Sequence, residues 1–228
     1  MGLNLASARP RSPVLWLGVL AIMALFSLPA AASGSGVSAA TTNDAQGKAL
    51  AERLRSGGLI LFFRHADTTG MPCDRSYRIG DRDGQRNLSP EGREQARRIG
   101  EALHAFGIPI EYPVRAGPVY RARDTAELAF KAGRVDVTDS LLADDYAGPR
   151  LAWVLAEHRR LFTEPVPAGT NRVLVGHRTP AIMVLGSTVG GQAFPEGAAL
   201  VLEPSAPAPH LLGILAVAPL PGRGFHGC

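Results

Sequence analysis

The sequence has few lysines and little net charge. Of its 24 basic residues, only Lys48 and Lys131 are lysines, and the rest are arginines. Arginine suits bidentate contacts with phosphate, but a compositional bias of the source genome explains the ratio at least as well, so the ratio alone assigns no function. The formal net charge of the 228 residues is +4. Because nucleic-acid-binding proteins carry a concentrated positive charge, this balance predicts no nucleic-acid partner.

The N-terminal segment contains Arg9 and Arg11 and no acidic residue, and an apolar run follows. Three alanines at positions 30–32 come next, and small residues at this spacing are typical of a signal peptidase site. We therefore expect residues 1–32 to be a signal peptide that is cleaved after Ala32, and the protein to be periplasmic or extracellular. The mature chain would hold 22 basic and 20 acidic residues, a net charge of +2.

An uncleaved membrane anchor is the alternative for the same segment. Residues 13–32 approach the roughly 20 apolar residues that a helix needs to span a bilayer. The apolar centre is short and is followed by Pro29, which favours cleavage. Contact with a membrane is expected only if the segment stays uncleaved.

The sequence has only two cysteines, Cys73 and Cys228. In an exported chain such a pair suits a disulfide between a loop and the C-terminal residue, and two unrelated thiols are the alternative. A zinc site made of Cys73, His65 and Asp67 lacks any recognised ligand spacing. We therefore expect no metal ion.

Internal repeats and long low-complexity linkers are also lacking. We expect a disordered start over residues 33–43 and one domain over residues 44–228. Within the domain, apolar strand-like runs alternate with helical patterns, which favours a layered α/β fold. The predicted strands cover residues 59–63, 112–116, 135–138 and 172–176, with a closing hairpin of residues 198–202 and 211–217. The predicted helices cover residues 49–54, 90–106, 119–131 and 151–162. Residues 67–86 are typical of a long polar loop.

Two of the predicted strands end at a histidine. One is followed by Arg64 and His65, and the other by His177, while the helical segment between them carries Arg121. Buried strands of an α/β sheet deliver reactive side chains to the edge at which they end. Three separate segments are thus expected to bring Arg and His together. His158 lies on the apolar stripe of its helix, where a structural histidine is expected.

Four segments resemble the motifs of the histidine phosphatase superfamily, which includes phosphoglycerate mutases, acid phosphatases and small phosphohistidine phosphatases. They are residues 64–68 (Arg-His-Ala-Asp-Thr), residues 87–96, Arg121 in its Arg-Ala-x-x-Thr-Ala stretch, and His177, in the family's order. Ala66 stands where many members have glycine. The resemblance implies a phosphoglycerate mutase-like, three-layer α/β sandwich with a mostly parallel central sheet flanked by helices.

The resemblance also implies a phosphatase that acts on a small phosphorylated substrate without a cofactor or metal. His65 would be the nucleophile, and Arg64, Thr68, Arg121 and His177 would bind the phosphoryl group. A neutral imidazole can attack phosphorus and carry the phosphoryl group covalently. The positive charges of Arg64 and Arg121 would lower the pKa of His65 and keep it neutral. His177 would also stabilise the charge that develops on the phosphoryl oxygens in the reaction.

A leaving alkoxide needs a proton from a nearby acid. Residues 142–148 resemble the stretch in which family members commonly carry this acid, although the family residue is often glutamate. Asp144 is the first choice and Asp145 the second. A capped turn before the next helix is the alternative role of this stretch.

Two other functions remain open at this stage. One is phosphoryl transfer of the phosphoglycerate mutase type, against which stand the short first motif and the lack of an obvious enclosing insertion. The other is a non-catalytic phosphate-binding module, because a fold does not dictate its function.

Overall fold

The computed structural model describes residues 1–2 and 38–226 of the chain. The chain divides into a unit of residues 1–35 and a unit of residues 36–228, and the description below concerns the second. Most of the expected signal peptide lies outside the described residues, and so does Cys228, so cleavage and the pairing of Cys228 stay predictions. Cys73 is not a free thiol. No helix among the described residues is long and apolar enough to cross a membrane.

Within residues 38–226, seven strands form one sheet in the order β1-β7-β6-β2-β5-β3-β4. Their bounds are Ala40–Thr41 (β1), Ile60–Arg64 (β2), Ile110–Ala116 (β3), Val135–Val137 (β4), Asn171–Gly176 (β5), Ala199–Glu203 (β6) and His210–Ala216 (β7). Only β6 runs against its neighbours, β2 and β7, and the other described pairings are parallel. The expected mostly parallel sheet and the closing hairpin are therefore confirmed.

The described part of the chain has six α-helices. They are Ala45–Arg55 (α1), Pro90–Ala105 (α2), Tyr120–Phe130 (α3), Asp144–Ala147 (α4), Leu151–Thr163 (α5) and Arg178–Leu185 (α6). Alternate side chains of β2 face opposite layers: Leu61 and Phe63 pack with α1, α2 and α3, whereas Ile60 and Phe62 pack with α5 and α6. Both faces of the sheet are thus buried, and the three-layer architecture is confirmed.

The structure differs from the sequence-based expectation at three places. Ala40–Thr41 forms a short parallel strand with β7, so the disordered start expected over residues 33–43 is wrong at β1. Helix α6 was not predicted, because its eight residues show little amphipathic pattern. Strand β3 contains Pro113 as predicted but begins at Ile110, before the predicted strand of residues 112–116. Its ladder with β5 shifts register between Glu111 and Arg115, where the missing proline N–H is tolerated.

Candidate active site

The ends of β2 and β5 bring the two predicted histidines together. These strands are parallel neighbours, with Arg64 opposite Gly176, and the backbone N–H of His65 donates to the Gly176 carbonyl at 3.1 Å. Because His65 and His177 each follow directly after their strand, their rings lie side by side, with centroids 5.4 Å apart. The sheet register thus accounts for the pairing.

A cavity of about 280 Å³ opens at this edge of the sheet. Five of the residues predicted for the site line it: Arg64, His65, Arg121, Asp144 and His177. The remaining lining residues are Arg86, Ala143, Asp145, Arg178, Thr179 and His226. Nearly all of the lining is charged or polar, so the cavity suits a small anion better than an apolar ligand.

The His65 side chain is buried and oriented by its own backbone. Its Nδ1 lies 2.9 Å from the carbonyl oxygen of Ala66. A carbonyl oxygen only accepts hydrogen bonds, so Nδ1 carries the proton and Nε2 keeps a free lone pair. Burial lowers the pKa of His65 well below its usual value, and the charges of Arg121 and Arg64 lower it further. The ring is therefore neutral at physiological pH, as a nucleophile requires.

His177 is also buried and neutral. Burial is the largest cause that lowers its pKa well below the usual value, followed by the charge of Arg121. Its Nε2 has no hydrogen-bond partner within the described residues. A buried polar atom without a partner is uncommon in native structures, and a site for a ligand is one physical reason for it.

Arg64 is held by a set of buried acceptors. It donates to a Glu196 carboxylate oxygen at 3.1 Å, and to the carbonyl oxygens of Phe194 at 3.1 Å and Gly224 at 3.2 Å. Burial lowers its pKa to about 10, against the opposing effect of Glu196, so the guanidinium stays charged near neutral pH. Its orientation is fixed before any substrate binds.

Arg121 is held in a similar way by a residue of the long loop. Its Nη1 donates to the two carboxylate oxygens of Asp74 at 3.0 and 3.2 Å, and its buried Nε has no partner among the described residues. Asp74 also accepts a hydrogen bond from the backbone N–H of Arg86. The loop thus places two arginines at the cavity.

The structure does not bring Thr68 into the cavity. Its side chain is buried, and its hydroxyl donates to Glu196 at 3.2 Å. Because Thr68 does not line the cavity and its hydroxyl donates to Glu196, the geometry does not support the predicted role of Thr68 in phosphate binding. Thr68 instead helps to position Glu196.

Asp144 and Asp145 both line the cavity, at the start of α4. Asp144 is partly buried, whereas Asp145 is exposed. Burial raises the pKa of Asp144, and the neighbouring charge of Asp145 raises it further. A raised pKa keeps a carboxyl group protonated nearer to neutral pH, which suits an acid that gives a proton to a leaving group. The geometry therefore favours Asp144, the first choice from the sequence.

Sequence reasoning missed the buried carboxylate at the centre of this arrangement. Glu196 accepts from Arg64 and Thr68, and lies 3.9 Å from Arg86 and 3.2 Å from His226. His226 also lies 3.2 Å from Asp67, so the C-terminal segment reaches the cavity. These partners lie far apart in the sequence, so no local sequence pattern predicts the contacts between them.

The motif of residues 87–96 holds the motif of residues 64–68 in position. Ser89 caps α2 by accepting from the Gly92 N–H at 2.8 Å, and its hydroxyl donates to Asp67 at 2.5 Å. A Cβ atom at Gly92 would lie 1.9 Å from the carbonyl oxygen of Asp67, so only glycine allows this close approach. His158 does not line the cavity; it is buried in the core beside Phe62, where its Nδ1 lies 2.8 Å from the carbonyl oxygen of Val154.

A known family model matches the part of the chain that contains several residues of this site. Residues 60–144 match the family model of the histidine phosphatase superfamily (branch 1). The match confirms the family resemblance. It covers the first histidine phosphatase motif, the helix that supports it, Arg121 and Asp144, and it supports phosphatase activity in general. A comparison with curated proteins finds no match.

Several solved structures are similar to this chain. The protein histidine phosphatase SixA complexed with tungstate has 17% identity over 69% of this chain and 96% of its own, with a TM-score of 0.47. A mycobacterial hydrolase has 19% identity over 71% of this chain and 99% of its own, with a TM-score of 0.49. Mycobacterial glucosyl-3-phosphoglycerate phosphatase has 21% identity over 64% of this chain and 89% of its own, with a TM-score of 0.44.

Replacement of Glu196 by glutamine is expected to lower the free energy of unfolding by about 3 kcal/mol, because removal of one partner leaves the buried charge of Arg64 unpaired. Urea unfolding measures the change. Glu203→Gln is the matched control: it breaks an ion pair of the same length, 3.1 Å, that is solvent-exposed, and should cost less than about 1 kcal/mol. Equal losses in the two variants would show that Glu196 does not balance a buried charge.

Acidification is expected to destabilise the fold below pH 6.5. Burial lowers the pKa values of His65, His158 and His177 from 6.5, so the unfolded chain takes up protons first as the pH falls. Each of them can reduce the free energy of unfolding by up to about 1.4 kcal/mol per pH unit. Urea titrations between about pH 7.5 and 5.5 measure this slope, and His158→Leu should make it shallower. An unchanged slope in that variant would contradict the buried neutral state of His158.

Proposed function

We propose that the protein hydrolyses a phosphomonoester, or a phosphoramidate, through a phosphoryl group carried on His65. The observation that carries this proposal is the pair of buried neutral histidines beside the arginines Arg64, Arg86 and Arg121 in one small cavity. A phosphoester dianion repels anionic nucleophiles, but a neutral imidazole approaches it without charge repulsion. The arrangement therefore suits covalent phosphoryl transfer.

In the first step, the Nε2 lone pair of His65 attacks phosphorus, so that an N–P bond forms and the bond from phosphorus to the leaving oxygen breaks. Arg64 and Arg121 bind the equatorial phosphoryl oxygens, over which negative charge spreads in the transition state. The Nε2 of His177, which has no hydrogen-bond partner among the described residues, contacts the same oxygens. Because these groups are already held in place, little reorganisation is needed at the moment of reaction.

The leaving oxygen takes a proton from the carboxyl group of Asp144. In the second step, a water molecule gives its proton back to Asp144 and its oxygen attacks phosphorus, which breaks the N–P bond and frees phosphate and His65. A raised pKa suits Asp144 for the first half of this cycle, and its ionised form suits the second half.

Turnover of 4-nitrophenyl phosphate by the purified protein tests the proposal. A phosphatase releases nitrophenol and phosphate in equal amounts. A non-catalytic phosphate-binding module would bind phosphate without turnover, and a mutase would pass the phosphoryl group to an added alcohol rather than to water. Either of these two results would overturn hydrolysis.

We also propose that the protein is exported, with residues 1–32 removed. The basic start, the apolar run and the small residues at 30–32 support this proposal. Intact-mass measurement of the exported and membrane fractions tests it. A mature chain starting at Ser33 is expected, whereas a full-length product in the membrane fraction would favour an anchor over residues 13–32.

A further inference from the structure

Arg178 lines the cavity but plays no part in the phosphoryl chemistry described above. It is the first residue of α6, directly after His177. Its Nη2 donates to the carbonyl oxygen of Gly191 at 2.6 Å, and its guanidinium lies 5.7 Å from the centre of the Phe225 ring. These contacts fix the position of the side chain, and neither of them neutralises its charge.

The other arginines of the cavity differ from Arg178 in this respect. Arg64 and Arg86 lie near the carboxylate of Glu196, and Arg121 is paired with Asp74. Arg178 forms no ion pair within residues 38–226, and its buried Nε has no hydrogen-bond partner there. A fixed cation without a counterion in a small cavity is a site for an anionic group of a ligand.

The backbone around Arg178 adds to this preference for an anion. Helix α6 begins at the cavity, and no side chain of the described residues caps its first turn. The N-terminus of a helix carries a partial positive charge and N–H groups without acceptors. His177, which precedes the helix and lines the cavity, has a buried Nε2 without a hydrogen-bond partner among the described residues, and Thr179 also lines the cavity.

Arg178 lies beside Arg64, one of the arginines proposed to bind the phosphoryl group. Burial lowers the pKa of Arg64 most, and the positive charge of Arg178 lowers it further. Arg178 and Arg64 also share the Phe225 ring, which lies 5.7 and 5.4 Å from them. Arg178 is therefore next to the phosphoryl-binding arginines and available to a different group of the same substrate.

We propose that Arg178, with the start of α6, binds a second anionic group of the substrate, a carboxylate or a second phosphate close to the scissile phosphoryl group. The inference rests on the proposed function and names its substrate class: small phosphoesters with two anionic groups. A guanidinium binds either group through paired N–H donors.

Hydrolysis of two matched substrates tests the inference. Ethyl phosphate and phosphoglycolate share a primary leaving oxygen and differ in one carboxylate. The wild-type protein should prefer phosphoglycolate, and Arg178→Gln should reduce the ratio of the two kcat/KM values roughly 10- to 100-fold. Arg178→Lys should restore part of the ratio because it keeps the charge. Arg97→Gln, which removes an exposed arginine on α2, is the control and should leave the ratio unchanged.

Calorimetry with non-hydrolysable ligands tests binding at Arg178 without requiring the proposed hydrolysis. Propylphosphonate carries one anionic group, whereas 3-phosphonopropionate adds a carboxylate and ethane-1,2-diphosphonate adds a second phosphonate. Binding of either doubly anionic ligand should weaken in Arg178→Gln more than binding of propylphosphonate, and the more affected ligand identifies the second group. Such selective weakening without any turnover would support the subsite while overturning the proposed hydrolysis. Turnover with equal losses for all ligands would overturn the subsite while leaving the hydrolysis intact.

Discussion

Replacement of His65 by alanine is expected to reduce turnover by at least about 10,000-fold, because it removes the side chain proposed to carry the phosphoryl group covalently. Two other histidines line the cavity: the ring centroid of His177 lies 5.4 Å from that of His65, and Nε2 of His226 lies 3.2 Å from carboxylate oxygens of Asp67 and Glu196. Initial rates with 4-nitrophenyl phosphate measure the loss. His104→Gln, which changes an exposed histidine on α2, is the matched control and should keep the wild-type rate.

Trapping of the phosphoenzyme identifies the nucleophile directly. Phosphohistidine is labile in acid and stable in base, so the reaction is stopped with alkali rather than acid. Labelled substrate should leave a base-stable phosphoryl group on the wild-type protein and none on His65→Ala. A wild-type rate in His65→Ala, or an unchanged phosphoenzyme, would refute the covalent mechanism.

Replacement of Asp144 by asparagine should slow the hydrolysis of alkyl phosphates roughly 100- to 10,000-fold, which is the range of general acid catalysis. Aryl phosphates should lose far less, since an aryl oxyanion leaves without a proton. Steady-state rates for ethyl phosphate and 4-nitrophenyl phosphate measure the contrast. Structural damage would slow the two substrates alike.

Asp145→Asn is the matched control for this prediction, because Asp145 is adjacent, lines the same cavity and is exposed. It should show little selectivity between the two substrates. A selective loss in Asp145→Asn but not in Asp144→Asn would move the acid by one residue. The absence of a selective loss in both variants would exclude this pair as the proton source.

The sequence by itself determined the elements that depend on local pattern. The apolar run before His65 and the run before His177 predict buried strands, and their structures agree. The cap at Ser89 and the following Pro90 predict the start of α2, as observed. Such features depend on the spacing of residues within a few turns or a few strand positions, so a single sequence carries them.

The tertiary structure alone decided which groups neutralise and position the site. Glu196 is 132 residues from Arg64 in the sequence, and Asp74 is 47 residues from Arg121. Thr68 lies in the first motif, yet its hydroxyl is engaged by Glu196 rather than turned to the cavity. A charge is neutralised by the carboxylate that the folded chain places beside it. The distance between the two groups depends on the packing of strands and loops, and no local periodicity in the sequence determines it. For the same reason, only the folded arrangement shows that Arg178 has no carboxylate partner in the described chain.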